Sequence, residues 1–464
     1  SGEWVVQQVD TDEFGSLSGE GTVRVGDGRL DLPEATLRTG EGLLHASASM
    51  NLDEPDRIAT TFRLTDWPLE LTEQQLAARA SAEGEVELFL SPLGASGGVD
   101  LEVDLRYKGQ DAGTLTAASQ LSRDDIRITN FRLTTLDGQL TGSGRFALDE
   151  DLWQAASLQA SWSDLRLSGL SDFEPALADL VGTTSGSLTI QPATDPRATL
   201  PMEVTVLADF LDASFAGFTF GRGDRPEPDL NTLAHFGPTR FEVQEGEMAV
   251  ADGHVDFYGR VTKHADETAA FLHLIMDRLD LQQIADAAGL DDRPMPGRIS
   301  GDWSAGGVLK APHRLYGSAR LSITDSDLLA LPGIAQLYGA LRLDIGTPKP
   351  QGEGEAIIRL EGESLEIARL TYFNRGTDVL AGLRIENIFD PRTSPISGTA
   401  VGAARPLKGT RASFLEVVDR AIRAAQSNAV AVEIDGTLSE PTSRVVPLKD
   451  LTSSIGRLLR GRAD

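Results

Sequence analysis

The chain has 464 residues, of which 70 are acidic and 42 basic, giving a formal net charge of -28. This excess of negative charge argues against binding to nucleic acid and against broad electrostatic adhesion to anionic membranes, because both surfaces are themselves negative. The chain has no cysteine, which excludes disulfides and thiolate metal sites. Its hydrophobic content of 40% is typical of a chain that folds, and no apolar run is long enough for a membrane-spanning helix.

Alternation of apolar and polar residues predicts β-strands along most of the chain. The clearest case is Val99–Tyr107, whose apolar residues alternate with Asp100, Glu102, Asp104 and Arg106. Tight turns such as Gly26–Gly28 separate the runs and predict mostly antiparallel pairing. Further strands are predicted at Val23–Val25, Ala59–Leu64, Val86–Leu90, Ser187–Ile190, Glu203–Leu207, Phe241–Val243, His254–Val261, Ala270–Ile275, Ala319–Ile323, Ala356–Leu360 and Ala431–Ile434.

Helical patterns are few and short. One is predicted after Ser171 or Asp172 and ends at Gly182, and another after Asp280 over Leu281–Ala288. Three more are predicted at Leu328–Leu341, Ser413–Gln426 and Leu448–Arg460. Proline and glycine predict loops at Gly221–Asp229, Asp291–Gly297 and Gly346–Glu355.

One amphipathic hairpin recurs in the sequence. The stretch Gly28–Glu54 aligns without a gap on Asp124–Glu150, so that Leu30 matches Ile126 at a spacing of 96 positions. The recurring unit keeps its alternation and its turns but no reactive side chain, which is typical of an architecture in which each unit packs on its neighbours. Looser copies are Arg240–Val261 and Ser364–Ile388, the last with a slip of one residue.

The apolar face of these strands needs a cover, and the predicted helices are too few to provide it. Either the sheet folds on itself around a packed core, or it curls into a trough whose apolar interior holds an apolar ligand. Small residues such as Ala46, Ala48, Gly142 and Gly144 favour the trough, because small side chains leave space. Equally, small residues mark places where two packed faces come close together.

We expect the apolar side of the repeated strands to line the trough and to face its apolar ligand. The predicted lining residues are Leu30, Leu32, Leu44, Ala46, Ala48, Met50, Val99, Leu101, Val103, Leu105, Ile126, Ile128, Leu140 and Phe146.

The repeated unit, G-x-L-x-L, a polar turn, then G-x-L with alternating small residues, resembles the strands of AsmA-like proteins of the bacterial envelope, the group that includes TamB and YhdP. The C-terminal third adds to the resemblance: Ile396–Gly409, an amphipathic helix, and a strand ending in G-T-L-x-x-P before an amphipathic tail. The resemblance implies a taco-shaped β-groove that binds phospholipid or other acyl lipid and assists lipid transport between membranes. It also implies a periplasmic location and, in most members, an inner-membrane anchor: either that anchor lies upstream of Ser1 or this member works differently.

No pattern predicts an enzyme, a cofactor or a metal site. Gly94–Gly98 matches G-x-S-x-G but lies between two predicted strands, where a flexible loop is expected rather than a catalytic elbow. Asp10–Gly15 begins like a calcium loop but lacks its required carboxylates. The six histidines have no metal-binding spacing, and the five tryptophans are dispersed, which disfavours a carbohydrate-active enzyme.

The C-terminal helix combines an apolar face with cations, which fits either a membrane interface or a cap on the last strand. Its candidate membrane contacts are Leu451, Ile455, Leu458, Leu459, Arg457 and Arg460. The expected organisation is a β-groove segment over residues 1–220, a linker over 221–238, a second groove segment over 239–411 and a closing region over 412–464. The alternative to a lipid-binding groove is a β-sandwich scaffold or interaction protein with a dry core.

Overall fold

The computed structural model describes most of the chain, and the fold given below refers to those residues. The described ranges are 2–11, 15–40, 42–71, 75–91, 93–147, 156–194, 198–221, 227–265, 267–287, 294–327, 352–374, 377–390, 393–404, 429–437 and 439–446.

Strands make up 77% of the described residues and helices 5%, which confirms the predicted mainly β fold with long antiparallel pairing and few helices. The chain divides into two compact units. Unit 1 comprises Ser1–Ala213 and His235–Gly237, and unit 2 comprises Ser214–Ala234 and Pro238–Asp464.

Unit 1 is a meander in which each strand pairs antiparallel with the next one along the chain, from β1 to β12. Its strands are β1 Gly2–Thr11, β2 Gly15–Gly26, β3 Arg29–Thr39, β4 Gly42–Asn51, β5 Arg57–Leu71, β6 Leu76–Leu90, β7 Leu93–Tyr107, β8 Gln110–Leu121, β9 Asp125–Thr135, β10 Gly138–Ala147, β11 Ser157–Arg166 and β12 Val181–Pro192. Two further strands, β13 Met202–Phe215 and β15 Leu230–Gly237, contain residues of both units.

Unit 2 follows the same rule from β16 to β26, and the short β14 pairs with β16. Its strands are β14 Phe218–Phe220, β16 Arg240–Val250, β17 Gly253–His264, β18 Glu267–Asp280, β19 Arg298–Val308, β20 Tyr316–Ser326, β21 Gly352–Glu361, β22 Ser364–Asn374, β23 Thr377–Ile385, β24 Ile396–Ala404, β25 Ala429–Gly436 and β26 Pro441–Val446.

Several connections are two-residue turns with positive φ at both central residues. Asp27 and Gly28 have φ of 52° and 73°, the geometry that matches the twist of a hairpin. The turn between β9 and β10 has the same geometry, with positive φ at Leu136 and Asp137, and Gly138 begins β10.

The repeat found in the sequence has a structural counterpart, a bulge at which two residues of the first strand oppose one of the second. In β3 the residues are 33–34, opposite Ser47, and in β9 they are 129–130, opposite Ser143, at the same spacing of the repeat. The looser copies carry it at 244–245 in β16 and 368–369 in β22. The number of residues between the bulge and the hairpin turn is the same in all four copies. The slip of one residue in the alignment of Ser364–Ile388 therefore does not fall between its bulge and its turn.

A second recurring bulge was not predicted. Asp66, Asp164 and Arg278 have φ near 50° (50°, 54° and 54°), and each donates its backbone N–H to a serine hydroxyl on the next strand. The acceptors are Ser81 at 3.2 Å, Ser185 at 3.0 Å and Ser300 at 2.9 Å. The serine therefore satisfies a donor that the bulge removes from the strand ladder.

The helical predictions divide into confirmed, wrong and untested. The helix α1, Leu281–Ala287, is confirmed, and Asp280 caps it by accepting the N–H of Gln282 at 2.8 Å. The helix predicted up to Gly182 is wrong: short 3-10 helices form at Leu167–Asp172 and Pro175–Leu177, because the residue before a proline is held extended. The predicted helices Leu328–Leu341, Ser413–Gln426 and Leu448–Arg460 lie outside the described residues. A further 3-10 helix lies at Pro312–Arg314.

Some predicted loops are strands. Gly94–Gly98 belongs to β7 rather than to a flexible loop, and Gly352–Glu355 begins β21. Leu230–Gly237, inside the expected linker, is β15. Glycine-rich sequence hides the first two because it lacks the large apolar residues that make alternation visible.

Unit 2 has a packed apolar core. Val432 and Ile434 of β25 are 0% and 1% exposed, and Leu281 and Ala285 of α1 belong to the same cluster. The core also contains a hydrogen-bonded polar chain in which Asn374 Nδ2 donates to Tyr372 Oη at 3.0 Å and Tyr372 donates to the carbonyl of Ser326 at 3.1 Å. A buried polar network with partners is compatible with a dry core.

Candidate functional site

The predicted lining residues share one face of unit 1, here called the inner face. In antiparallel strands, directly opposed residues point to the same side of the sheet. Leu44 opposes Leu64, and Leu101 opposes both Ala82 and Ala117, so the face continues from strand to strand. The register joins one row of ten apolar residues across β3–β12: Leu37, Leu44, Leu64, Ala82, Leu101, Ala117, Phe131, Gly142, Ala160 and Leu188.

All fourteen predicted lining residues belong to the inner face, in this row or in the rows beside it. Leu30 opposes Met50, Leu32 opposes Ala48, and Ile126 opposes Phe146. With neighbouring strands about 4.8 Å apart, ten strands extend the face for roughly 43 Å. The structure thus brings together residues that are more than a hundred positions apart in sequence.

The inner face of β3–β12 carries no charged residue among those described. Its polar positions are hydroxyls such as Thr60 and Ser119. The opposite face of the same strands carries the charges, often as pairs across neighbouring strands, including Arg63 with Glu83 at 2.9 Å and Arg145 with Asp125 at 2.5 Å. Exposed pairs of this kind contribute little to stability, but their segregation gives the sheet one wet and one dry face.

Most of the inner face is only partly buried. Of the predicted lining residues, Val103 is buried, at 7% exposed, and the others are intermediate. Within the described part of the chain, the clusters of buried apolar side chains belong to unit 2. Among the residues described, the inner face of unit 1 thus carries no such cluster; near one end, the ring of Phe173 from the connection between β11 and β12 lies 6.0 Å from that of Tyr107.

Gly142 and Gly144 of the inner face do not leave empty space, which corrects the interpretation of these two residues. A Cβ on Gly142 would come within 2.7 Å of the ring of Phe131 on the adjacent strand. A Cβ on Gly144 would lie 3.3 Å from Leu158 and 3.4 Å from the ring of Phe146. Large side chains thus lie over the glycines of neighbouring strands, and the face is evenly covered rather than pitted.

The opposite, polar face has a depression of about 620 Å³. Side chains of Arg24, Asp31, Glu85 and Glu87 surround it, together with serine and threonine hydroxyls. Its lining also includes apolar residues such as Leu32, Ala48 and Val86, so the depression is of mixed polarity.

A partly buried polar cluster lies on β12, β13 and β15 of unit 1 and on the residues that follow β12. Glu203 accepts hydrogen bonds from Gln191 at 2.9 Å and from Thr194 at 3.2 Å, and the Gln191 bond is the main cause that lowers the pKa of Glu203. His235 lies 3.6 Å from Glu203, is 4% exposed, and has no hydrogen-bond partner at either ring nitrogen. No pattern in the sequence indicates this cluster, because its members are far apart in the chain.

The described residues contain no group of three or more histidine or acidic side chains placed to hold a metal ion. No helix within the described ranges is both long and apolar enough to cross a membrane. The candidate membrane contacts of the C-terminal helix, including Leu451, Ile455 and Arg457, lie outside the described residues, as do Leu458, Leu459 and Arg460.

A comparison of the chain with protein-family models and with curated proteins finds no match to either.

Proposed function

We propose that the inner face of unit 1 binds lipid acyl chains and that the protein assists lipid transport between bacterial membranes. The observation that supports this most directly is the uncharged, partly exposed inner face, which is continuous across ten strands. An apolar surface of this size loses free energy in contact with water, at about 25 cal/mol per Å². An acyl chain that covers this surface recovers that free energy, and the acyl chain needs no hydrogen bond from the protein.

The resemblance of the repeated hairpins to AsmA-like proteins supports the same proposal. It adds a periplasmic location and a role in outer-membrane biogenesis, with phospholipid as ligand. In this proposal the protein is not an enzyme. The segregation of charge to the opposite face suits a ligand whose chains lie in the groove.

The experiment is to purify the chain, extract it with organic solvent and identify co-purified lipid by mass spectrometry. Ile128→Asp places a carboxylate on the inner face and is expected to lower lipid occupancy strongly while the strand content by circular dichroism stays unchanged. Asn130→Asp is the matched control, since Asn130 is an exposed residue of the same strand and opposes Ala118 on the polar face.

Repeated recovery of stable, lipid-free protein that also takes up no added lipid would exclude the proposal. That result would favour the β-sandwich scaffold, in which a second protein layer covers the inner face. An equal loss of lipid in both variants would place the lipid somewhere other than the inner face.

A further inference from the structure

The tip of the β6–β7 hairpin exposes large apolar side chains. Leu93 is 86% exposed, Leu90 is 50% exposed and Leu88 is 37% exposed. Leu90 directly opposes Leu93, and Leu88 opposes Ala95, so the three leucines continue the inner face to its edge. Exposed leucines that are contiguous in this way mark a contact surface.

The regular pairing of β7 with β8 ends before the tip. Its last pair is Gly97 with Leu121, and the connection from β8 to β9 then lies beside the tip, with Arg123 against Gly94. On the other side of the hairpin, the backbone N–H of Leu90 donates to the backbone carbonyl of Asp56 at 2.8 Å. Leu90 and Leu93 therefore lie at the end of the hairpin, next to the connections of the neighbouring strands.

Two arginines lie behind the leucines, on the polar side of the tip. Phe89 is 8% exposed although it belongs to that side, because the guanidinium of Arg123 lies 4.2 Å from its ring centre and that of Arg57 lies 5.9 Å away. The side chain of Arg123 also packs on Gly94, where an added Cβ would come within 3.3 Å. Stacking holds both cations at the tip, and guanidinium groups bind phosphate well.

Acidic residues accompany these arginines. Asp56 precedes Arg57, and its backbone carbonyl accepts the N–H of Leu90 at 2.8 Å. Asp124 follows Arg123. The tip therefore has no excess of positive charge, and attraction to a net negative surface cannot drive its contacts. The leucines of the tip can insert among acyl chains and its arginines can bind phosphate. A bilayer of neutral phospholipid accommodates both contacts.

We propose that the β6–β7 tip docks on a phospholipid bilayer, with Leu90 and Leu93 among the acyl chains and Arg57 and Arg123 at the phosphates. This docking proposal rests on the proposed function, since the leucines form a continuous apolar surface from the bilayer to the inner face. An acyl chain could move along that surface from one to the other. A protein partner fits less well, because a stable protein interface buries about 1,200 Å² or more, whereas each inserted leucine stabilises a membrane contact on its own.

The test is flotation of the full chain with phosphatidylcholine vesicles. The double variant Leu90→Ser, Leu93→Ser is expected to lower the vesicle partition coefficient about tenfold or more, because burial of one leucine already contributes about that factor. Leu211→Ser is the matched control, as Leu211 is 66% exposed on β13, away from the tip. Arg57→Gln with Arg123→Gln is expected to weaken flotation by a few fold, and added phosphatidylglycerol is expected not to strengthen it.

Absence of wild-type flotation, or equal flotation of the wild type and the leucine variant, would overturn the tip proposal. A leucine variant that instead changes oligomeric state in gel filtration would identify a second copy of the chain as the occupant, which also overturns it. Uptake of a short-chain phospholipid from solution separates the two proposals. Tip-dependent flotation without any lipid uptake leaves the docking site standing and excludes the transport function.

Discussion

The inner face of unit 1 and the core of unit 2 are built from the same kind of strand, with the same bulges and the same antiparallel order. In unit 2 the apolar face carries α1, which contributes Leu281 and Ala285 to a cluster with Val432 and Ile434. In unit 1 the corresponding residues, such as Ile128 and Leu101, stay partly exposed. Alternation thus creates an apolar face, but only the elements packed upon it decide whether that face is a core or a surface for a ligand.

The largest expected effect comes from a charge in the core of unit 2. Ile434→Asp buries a carboxylate without a partner at a site that is 1% exposed, and we expect a loss of several kcal/mol in unfolding free energy. Urea denaturation followed by circular dichroism measures it. A stable Ile434→Asp protein would mean that unit 2 has no closed core.

The same change in unit 1 is expected to have a much smaller effect. Ile128→Asp leaves its carboxylate within reach of water, so the loss in unfolding free energy should be about 1 kcal/mol. Hydrogen exchange of β9 peptides reports stability in this region. If β9 loses protection as strongly as β25 does in Ile434→Asp, the distinction between the two regions fails.

The serine-capped bulge is a feature that both units share, so its removal should cost the same in each. Ser185→Ala in unit 1 and Ser300→Ala in unit 2 each leave a backbone N–H without its acceptor. Because the sites are exposed, we expect about 0.5 kcal/mol for either variant. Paired denaturation curves measure it, and a clear inequality would show that the bulges differ in their surroundings.

The smallest effect concerns pH and belongs to unit 1. Hydrogen bonds from Gln191 and Thr194 lower the pKa of Glu203 below its usual 4.5. The ionised carboxylate therefore stabilises unit 1 above pH 4.5, and this contribution is lost as the pH falls through the lowered pKa. Glu203→Gln is expected to reduce the acid sensitivity of β13 protection in hydrogen exchange, while β25 keeps its pH dependence. An unchanged acid response at β13 would contradict this.

Much of the fold could be predicted from alternation where the apolar residues are large. Val99–Tyr107 and His254–Val261 lie within β7 and β17, although both strands are longer than predicted. β8 was missed because Gln110–Leu121 is rich in alanine, glycine and threonine, which hide the period. The first bulge is not visible in the sequence repeat, because every copy has it at the same place and the copies therefore align without a gap. Within each copy, the alternation of inward and outward residues shifts by one residue at the bulge.

The composition of the inner face could be predicted, but its surroundings could not. The register that brings Leu44 and Leu188 into one row depends on every turn and bulge between them. A signal for the second bulge was present in the sequence as a Thr or Ser, then Asp, then a large apolar residue, at Thr65–Trp67 and Ser163–Leu165. This signal is easily read as the end of a strand, because its two successive polar residues interrupt the alternation of apolar and polar positions.

Pairing of each strand with its successor has a consequence for how the molecule forms. Most strand pairs in the meanders close a short loop, so the entropy lost in bringing partners together is small at those steps; the longer connections include residues 327–351 between β20 and β21 and 405–428 between β24 and β25. Growth can proceed one hairpin at a time as the chain leaves the ribosome, with each new strand templated by the one before it. Duplication of a hairpin would lengthen the sheet without disturbing the strand pairs already made. Such a duplication would produce a sequence repeat like the one found at a spacing of 96 positions.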